Sequence, residues 1–222
     1  MKKLSSPDST YSILEYSLLT SLLLMLFASL SFAQTNDSAM SSLLNRNLLM
    51  NPGAEERNSM NHITGWESIT QDAQGMPLVS TGTWSTPGIN GSNYFRAMVG
   101  GDVREASAYQ YFDVSSLSEL IDRGVISYNL TGSFGGGDYA TSLMNVSFLD
   151  GTGKNIKTNY TKNIILDEVG ADSLNIYPTG KSGKVPKATR KITVQLRFYK
   201  YSVLDETSPA FADDLGFYLY RK

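Results

Sequence analysis

The chain has 222 residues, with 19 lysines and arginines against 21 aspartates and glutamates, a net charge of -2 and no cysteine. The balanced charge argues against a nucleic-acid-binding protein, because phosphate binding needs clustered basic residues. The lack of cysteine excludes disulfides, thiolate zinc sites and a cysteine nucleophile, and a single histidine, His62, excludes multi-histidine metal centres. A hydrophobic content of 41% with 18% charged residues is typical of a globular protein, and 13 tyrosines and 19 glycines favour β-structure.

The first 33 residues have the features of a secretory signal peptide. Lys2 and Lys3 precede an uncharged run from Leu18 to Leu30, and the small residues Ser31 and Ala33 occupy positions -3 and -1 of a cleavage site. A helix of this run would be about 20 Å long, too short for a hydrocarbon core of about 30 Å. We therefore expect cleavage after Ala33, a secreted mature chain, and no membrane span after the leader is removed.

The mature chain is long enough for one stable domain. A domain of this size buries roughly 70% of its unfolded surface and needs no disulfides. We expect a flexible N-terminal segment over residues 34–44 and a single domain over residues 45–222.

Five Asn-x-Ser/Thr sequons predict N-glycosylation if the source is eukaryotic. They lie at Asn36, Asn90, Asn129, Asn145 and Asn159. Asn129 and Asn145 fall in strand-like runs, so their side chains must face solvent to be modified.

Most of the mature chain alternates apolar and polar residues with a period of two, which predicts β-strands. The clearest run is 191–198, where Ile192 begins a set of four apolar residues on one face. Similar runs cover 125–134, 143–149 and a final segment from Phe211 to Leu219. Glycine-rich turns between such runs are typical of an antiparallel β-sandwich.

One stretch, Ser115–Gly124, has helical rather than strand periodicity. Leu117, Leu120 and Ile121 share a helical face, Ser116 and Glu119 have the spacing of a capping box, and Gly124 is suited to a helix stop. The sequence therefore predicts one short connecting helix in an otherwise all-β fold.

No motif in the sequence indicates catalysis. His62 is the sole candidate for a triad base, but it precedes Trp66 in a loop-like segment and the chain has no G-x-S-x-G elbow. No pair of carboxylates is marked out for glycoside hydrolysis. The glycines 135–137 are followed by neither a helix nor a lysine, which favours a hairpin tip over a phosphate-binding loop. We therefore expect a non-catalytic protein.

Asp213 is the residue whose chemistry is least easily explained by the pattern. It shares phase with Phe211, Leu215 and Phe217, which predicts an inward carboxylate that must be neutralised. One solution is a hard cation such as Ca²⁺, with Glu55 as a second oxygen ligand. The other is a carboxylate satisfied by backbone N–H groups. Residue chemistry alone leaves both open.

The two ends of the mature chain carry a family resemblance. Residues 47–55 (N-L-L-M-N-P-G-A-E), the pair Gly65-Trp66 and residues 212–219 (A-D-D-L-G-F-Y-L) resemble secreted carbohydrate-binding modules of the galactose-binding-like jelly-roll superfamily. Between them, residues 91–95 and 108–114 are similar to the "G-x-x-F" and "Q-x-[FI]-D-V-S" strands of that superfamily. The resemblance extends from residue 47 to residue 219. It implies a structural Ca²⁺ held by Glu55 and Asp213 and a core position for Trp66.

Sugar binding requires exposed aromatic side chains for stacking together with polar groups. The candidates considered are Trp84, Tyr139, Tyr160, Tyr177, Tyr199 and Tyr201. Of these, we predict Trp84, Tyr139, Tyr199 and Tyr201 as ligand-binding residues. Tyr199 and Tyr201 are out of phase with the inward residue Ile192, and Trp84 lies in a turn-rich loop.

The sequence as a whole predicts an antiparallel β-sandwich of the jelly-roll type with one short connecting helix. We expect a secreted, non-catalytic protein that binds extracellular carbohydrate. The alternative is a structural glycoprotein of an extracellular coat, such as a wall, spore or cyst, whose partners are other coat components and which binds no small ligand.

Overall fold

The computed structural model describes residues 42–58, 62–70, 78–83, 91–99, 103–136, 140–162, 176–200 and 208–222. The predicted leader, the predicted ligand-binding residues Trp84, Tyr139 and Tyr201, and the sequons at Asn36 and Asn90 lie outside these ranges. Within them, no helix is both long and apolar enough to cross a membrane. Residues Leu43–Lys222 make up one compact unit.

Two five-stranded antiparallel sheets form the molecule, which confirms the predicted fold class. The strands are β1 (Glu67–Ser68), β2 (Val79–Thr83), β3 (Asn93–Val99), β4 (Glu105–Asp113), β5 (Ile126–Gly136), β6 (Ala140–Leu149), β7 (Asn155–Tyr160), β8 (Ile176–Lys184), β9 (Lys191–Lys200) and β10 (Ser208–Arg221). Sheet I has the order β1-β4-β9-β6-β7, and sheet II has the order β2-β3-β10-β5-β8. The last strand, β10, thus lies at the centre of sheet II.

The core lies between the two sheets and follows the predicted alternation. Ile192 and the three apolar residues that alternate after it along β9 are fully buried. Aromatic pairs join the sheets: the ring centroids of Tyr128 and Phe148 are 5.1 Å apart, and those of Phe112 and Phe217 are 5.5 Å apart. Tilted and edge-on aromatic contacts of this kind stabilise a core beyond the area they bury.

The predicted helix is present, but its start differs from the prediction. A 3-10 turn over Ser115–Leu117 leads into helix α1 (Ser118–Asp122). The apolar face is buried as expected. The predicted capping box is absent, because the N-cap residue of neither segment makes a side-chain hydrogen bond. Instead, the Ser115 N–H donates to Asp113 Oδ1 at 2.8 Å. The carboxylate that ends β4 therefore takes the role expected of Ser116.

The prediction that Asp213 shares an inward face with Leu215 is wrong. A β-bulge between Asp213 and Gly216 shifts the register of β10 against β5. On the near side of the bulge, Ala212 pairs with the buried residue Phe134, so Asp213, the next residue, lies on the face of sheet II away from the core. Its carboxylate is nevertheless fully buried.

Candidate functional site

The outer face of sheet I carries a continuous row of polar and aromatic side chains. The strand register aligns Glu67, Tyr109, Gln195, Asn145 and Tyr160 directly across β1, β4, β9, β6 and β7. Directly paired residues share one face of a sheet. The residues on either side of Gln195 along β9 are buried in the core, so these five residues, called here the polar row, lie on the side away from the core.

Tyrosines lie near both ends of the polar row, at Tyr160 on one edge and at Tyr109, next to Glu67, on the other. Tyr111, two residues after Tyr109 and on the same face, is 62% exposed, and Tyr160 at the other edge is 48% exposed. The rings of Tyr109 and Tyr111 meet edge to face with centroids 4.7 Å apart. A cavity of about 350 Å³ adjoins Tyr111 and is lined also by Phe112. Aromatic rings that are exposed but fixed by neighbours are suited to stacking on a ligand.

The Tyr109 ring is held in place by a hydrogen bond. Its hydroxyl donates to Glu67 Oε2 at 2.8 Å. This hydrogen bond is the main cause of a pKa for Tyr109 raised from 10.0 to about 12. The phenol therefore stays protonated at any physiological pH.

Asn145, in the middle of the polar row, holds a buried oxygen without a partner. The residue is 4% exposed, and its Oδ1 accepts no hydrogen bond from the described part of the chain. A buried polar atom left unsatisfied costs about 1–3 kcal/mol. A donor from outside the molecule would recover that free energy once the side chains that cover this oxygen move aside to admit it.

The burial of Asn145 also bears on the predicted sequons. Its side chain does not meet the condition of facing solvent, whereas Asn129 in β5 and Asn159 in β7 are partly exposed. Glycosylation at Asn129 and Asn159 stays a prediction, and the structure offers a physical reason against it at Asn145.

A cation of this face is neutralised locally. Arg197 Nε and Nη2 donate to Glu105 Oε1 and Oε2 at 2.8 and 2.7 Å. This bidentate bond is the main cause of a raised pKa for Arg197. Glu105 also pairs in register with Tyr199, which places the predicted ligand-binding residue Tyr199 on the same outer face, partly buried. The ion pair neutralises Arg197, and Lys191, a second cation on this face, pairs in register with Asp113.

Sequence reasoning missed Tyr109 and Tyr111. Both alternate with the core-facing residues Ala108 and Phe112, so the signal was present as a period of two within β4. Tyr160, weighed as a candidate, lies on this face as well. Tyr177 lies in β8 of the other sheet, so the structure does not bring it together with Tyr160.

The segment around His62 is built by backbone contacts. The His62 N–H donates to Asn58 Oδ1 at 3.1 Å, and its carbonyl accepts from the Asn58 N–H at 3.0 Å. The cavity beside it, about 10 Å³, has room for roughly one water molecule.

Trp66 is buried edge-on against Phe95, with ring centroids 5.1 Å apart. This is the core position that the resemblance implies.

Glu55 and Asp213, called here the carboxylate clamp, border the same glycine. A Cβ placed on Gly53 would lie 3.5 Å from Asp213 Oδ1 and 3.8 Å from Glu55 Oε1. Glu55 Oε1 accepts the backbone N–H groups of Ser92 and Asn93, each at 2.9 Å, and Glu55 Oε2 accepts Asn93 Nδ2 at 3.1 Å. Asp213 Oδ1 accepts the next backbone N–H at 2.8 Å.

The donor set of the clamp fits a hard cation in its chemistry, since it offers only oxygen. In the described ranges, however, no group of three or more acidic or histidine side chains could hold a metal together. An ion bound between Glu55 and Asp213 would therefore take its remaining ligands from backbone carbonyls, a donor that Ca²⁺ accepts readily. The Ca²⁺ site stays a prediction.

No protein-family model matches the chain, and no curated protein matches it. Several solved structures, in contrast, match the chain. Tailspike protein 4 of bacteriophage CBA120, in its enzymatically active domain, matches 78% of this chain with 21% of its own, at 17% identity and a TM-score of 0.52. The arabinose-bound MgGH51 α-L-arabinofuranosidase matches 79% of this chain with 27% of its own, at 10% identity and a TM-score of 0.50. The CBM22-1 xylan-binding domain of Paenibacillus barcinonensis Xyn10C matches 81% of this chain and 98% of the domain, at 10% identity and a TM-score of 0.45.

These likenesses concern the fold alone. The chain spans about a quarter of the length of the tailspike and arabinofuranosidase structures, so it corresponds to a part of each. The predicted resemblance is confirmed at the level of the fold alone, as a sandwich of two antiparallel sheets of the jelly-roll type.

Proposed function

We propose that this is a secreted, non-catalytic protein that binds extracellular carbohydrate through the outer face of sheet I. The observation that carries the proposal is the unpartnered Oδ1 of Asn145, which lies in the polar row between Tyr109 and Tyr160. Sugar hydroxyls donate hydrogen bonds to amide oxygens, and sugar rings stack on aromatic faces. The polar row provides both kinds of contact on one surface.

The length of the polar row supports an extended ligand. Tyr109 and Tyr160 are separated by three interstrand steps, about 14 Å. Gln195 and Asn145 lie between them. A short oligosaccharide running across the strands would touch a tyrosine at each end and the two amides in the middle.

The charge of the face supports a neutral ligand. The Arg197 guanidinium is bound on two nitrogens by Glu105. Breaking a bidentate pair of this kind to bind an acidic sugar would leave the Glu105 carboxylate without its partner. We therefore expect neutral glycans to bind better than uronates or sulfated glycans.

Binding of neutral polysaccharides to Asn145→Ala and wild type tests the proposal. We expect a soluble-glycan panel to show binding by the wild type and about tenfold weaker binding by Asn145→Ala, the cost of one hydrogen bond of roughly 1.4 kcal/mol. Asn129→Ala is the matched control, because Asn129 is also a strand asparagine but lies in sheet II. Equal binding by Asn145→Ala and wild type would reject the outer face of sheet I as the site.

A structural glycoprotein of an extracellular coat is the second candidate. The partly exposed sequon residues Asn129 and Asn159 favour it. Absence of binding across the whole glycan panel, together with glycan attachment at these two residues by mass spectrometry, would support the coat role over the binding role.

We further propose that the carboxylate clamp holds a structural Ca²⁺. Glu55 and Asp213 would be its side-chain ligands, with carbonyl groups near Gly53 completing the set. The ion would supply fixed positive charge to the fully buried Asp213 and would link the first loop to β10.

A further inference from the structure

A groove of about 970 Å³ crosses the outer face of sheet II, on a different sheet from the polar row. Its walls come from β5, β8, β10 and the loop over residues 47–56. A volume of this order matches sites that bind small molecules or short oligosaccharides. Neither the polar row nor the proposed glycan binding accounts for it.

Glycines form the floor of this groove. The register aligns Gly180, Thr131 and Gly216 in one row across β8, β5 and β10. A Cβ on Gly216 would collide with the Thr131 hydroxyl and with the ring of Tyr218, so the Tyr218 ring reaches over this glycine. Gly180 lines the groove and leaves a depression beside Thr131, whereas Gly216 lies outside the lining and is covered by the Tyr218 ring, which forms one side of the groove.

The groove is acidic. Glu55, Glu56 and Asp214 line it, and the lining contains neither lysine nor arginine. A Ca²⁺ in the carboxylate clamp would neutralise Glu55 and Asp213, so the charge that remains comes from Glu56 and Asp214. The nearest cation along β8, Lys181, pairs with the buried residue Leu130 and so belongs to the other face of the sheet. The local potential therefore disfavours phosphates, sulfates and uronates and favours a cation.

Two of these carboxylates are available to a ligand. Glu55 is occupied by the backbone N–H groups at the start of β3. Glu56 and Asp214 are exposed, and neither forms an ion pair within the ranges that the structure describes. Asp214 sits in the bulge of β10 with a left-handed φ of 51°, which turns its side chain out at the edge of the groove.

We infer that this groove is a second saccharide site and that it binds a protonated amino sugar, such as a glucosamine oligosaccharide. Glu56 and Asp214 would pair with the ammonium group, the Tyr218 ring would stack on a sugar or lie beneath the cation, and the Thr131 hydroxyl would bond to a sugar hydroxyl. The cavity, its glycine floor and the tyrosine define the site, and the charge selects the ligand class. The inference does not depend on the polar row.

Calorimetric titration of the purified protein with a glucosamine trimer tests the inference. We expect binding that weakens with added salt, and that exceeds binding of the N-acetylglucosamine trimer, which has the same ring and linkage without the charge. Removing one of the two charges, with Asp214→Asn or Glu56→Gln, should weaken binding about fivefold, the effect of one ion pair at contact distance in water. Asparagine tolerates the left-handed backbone of Asp214, so this variant keeps the bulge.

Two controls decide the outcome. Glu119→Gln removes an exposed carboxylate on helix α1 and should leave binding unchanged. Asn145→Ala should also leave it unchanged, since Asn145 belongs to sheet I. The inference is overturned if the glucosamine trimer does not bind, if both trimers bind equally and ignore the charge variants, or if Asn145→Ala abolishes binding. Loss of neutral-glycan binding alone in Asn145→Ala concerns the proposed function and not this groove.

Discussion

The carboxylate clamp and the polar row differ in how their side-chain oxygens are satisfied. In the clamp, Glu55 accepts three hydrogen bonds and Asp213 Oδ1 accepts one from the backbone. In the polar row, the Oδ1 of Asn145 is buried but has no donor partner in the described part of the chain. Satisfied atoms stabilise the fold, whereas an unsatisfied atom costs free energy until a ligand binds.

This contrast separates two kinds of substitution. Changes in the clamp should lower stability and leave carbohydrate binding alone. Changes at Asn145 should weaken carbohydrate binding and leave stability level or slightly higher.

The largest effect is expected from Ca²⁺ at the clamp. An ion that binds only the folded state at a hundredfold excess over its Kd adds about 2.7 kcal/mol, and at about 2–4 °C per kcal/mol this raises the Tm by several degrees. We expect EDTA to lower the Tm measured by calorimetry, millimolar Ca²⁺ to restore it, and Asp213→Asn to lose the response.

Asp150→Asn is the matched control for the Ca²⁺ experiment. Asp150 is an aspartate whose Oδ1 accepts hydrogen bonds within an exposed turn, so its variant should respond to Ca²⁺ as the wild type does. A wild-type Tm that is the same in EDTA and in Ca²⁺ would show that the clamp is held by hydrogen bonds alone.

An intermediate effect is expected at Asn145. Asn145→Leu removes the unsatisfied oxygen, so the free energy of unfolding in urea should stay level or rise by up to about 1 kcal/mol while glycan binding is lost. Gln110→Leu is the comparison, because Gln110 is also a buried amide but exchanges two hydrogen bonds with the Met50 backbone at 2.8 and 2.9 Å. The Gln110→Leu variant should lower the free energy of unfolding by about 1–3 kcal/mol. Equal destabilisation by both variants would remove the distinction between the two regions.

The smallest effect concerns Tyr109. Its folded-state pKa is raised to about 12, mainly by the hydrogen bond to Glu67, so its contribution to stability is complete below pH 10 and is lost as the pH rises towards 12. Subtracting the ultraviolet titration of Tyr109→Phe from that of the wild type should show one phenol ionising near pH 12. Glu67→Gln should move that ionisation to lower pH. A difference curve centred at pH 10 would mean that the ring is not held as described.

Much of the fold follows from local pattern. The alternation in 191–198 identifies a strand whose four apolar residues are all in the core, and the helical spacing of Leu117, Leu120 and Ile121 identifies helix α1. The failure at Asp213 has a definite cause. A period of two assumes unbroken extended backbone, and the left-handed residue Asp214 changes the phase in a way that no hydrophobic pattern records.

The candidate site was much less accessible to sequence reasoning. The polar row joins Glu67 to Tyr160 through strands whose spatial order, β1-β4-β9-β6-β7, differs from their order in the sequence. Which residues stand side by side depends on register between distant segments, which sequence alternation does not set. Alternation alone could have placed Tyr109 and Tyr111 at the surface, but not beside Asn145.

The central position of β10 governs the order in which this molecule can assemble. β10 separates β3 from β5, and its outer stretch also accepts the N–H groups of Asn45 and Leu48 from the start of the domain. Contacts between residues so far apart in sequence close slowly, because the loop entropy is lost before any contact forms. During synthesis, sheet II therefore lacks its central strand until residue 219 is available. We therefore expect sheet II to close only after β10 has been synthesised.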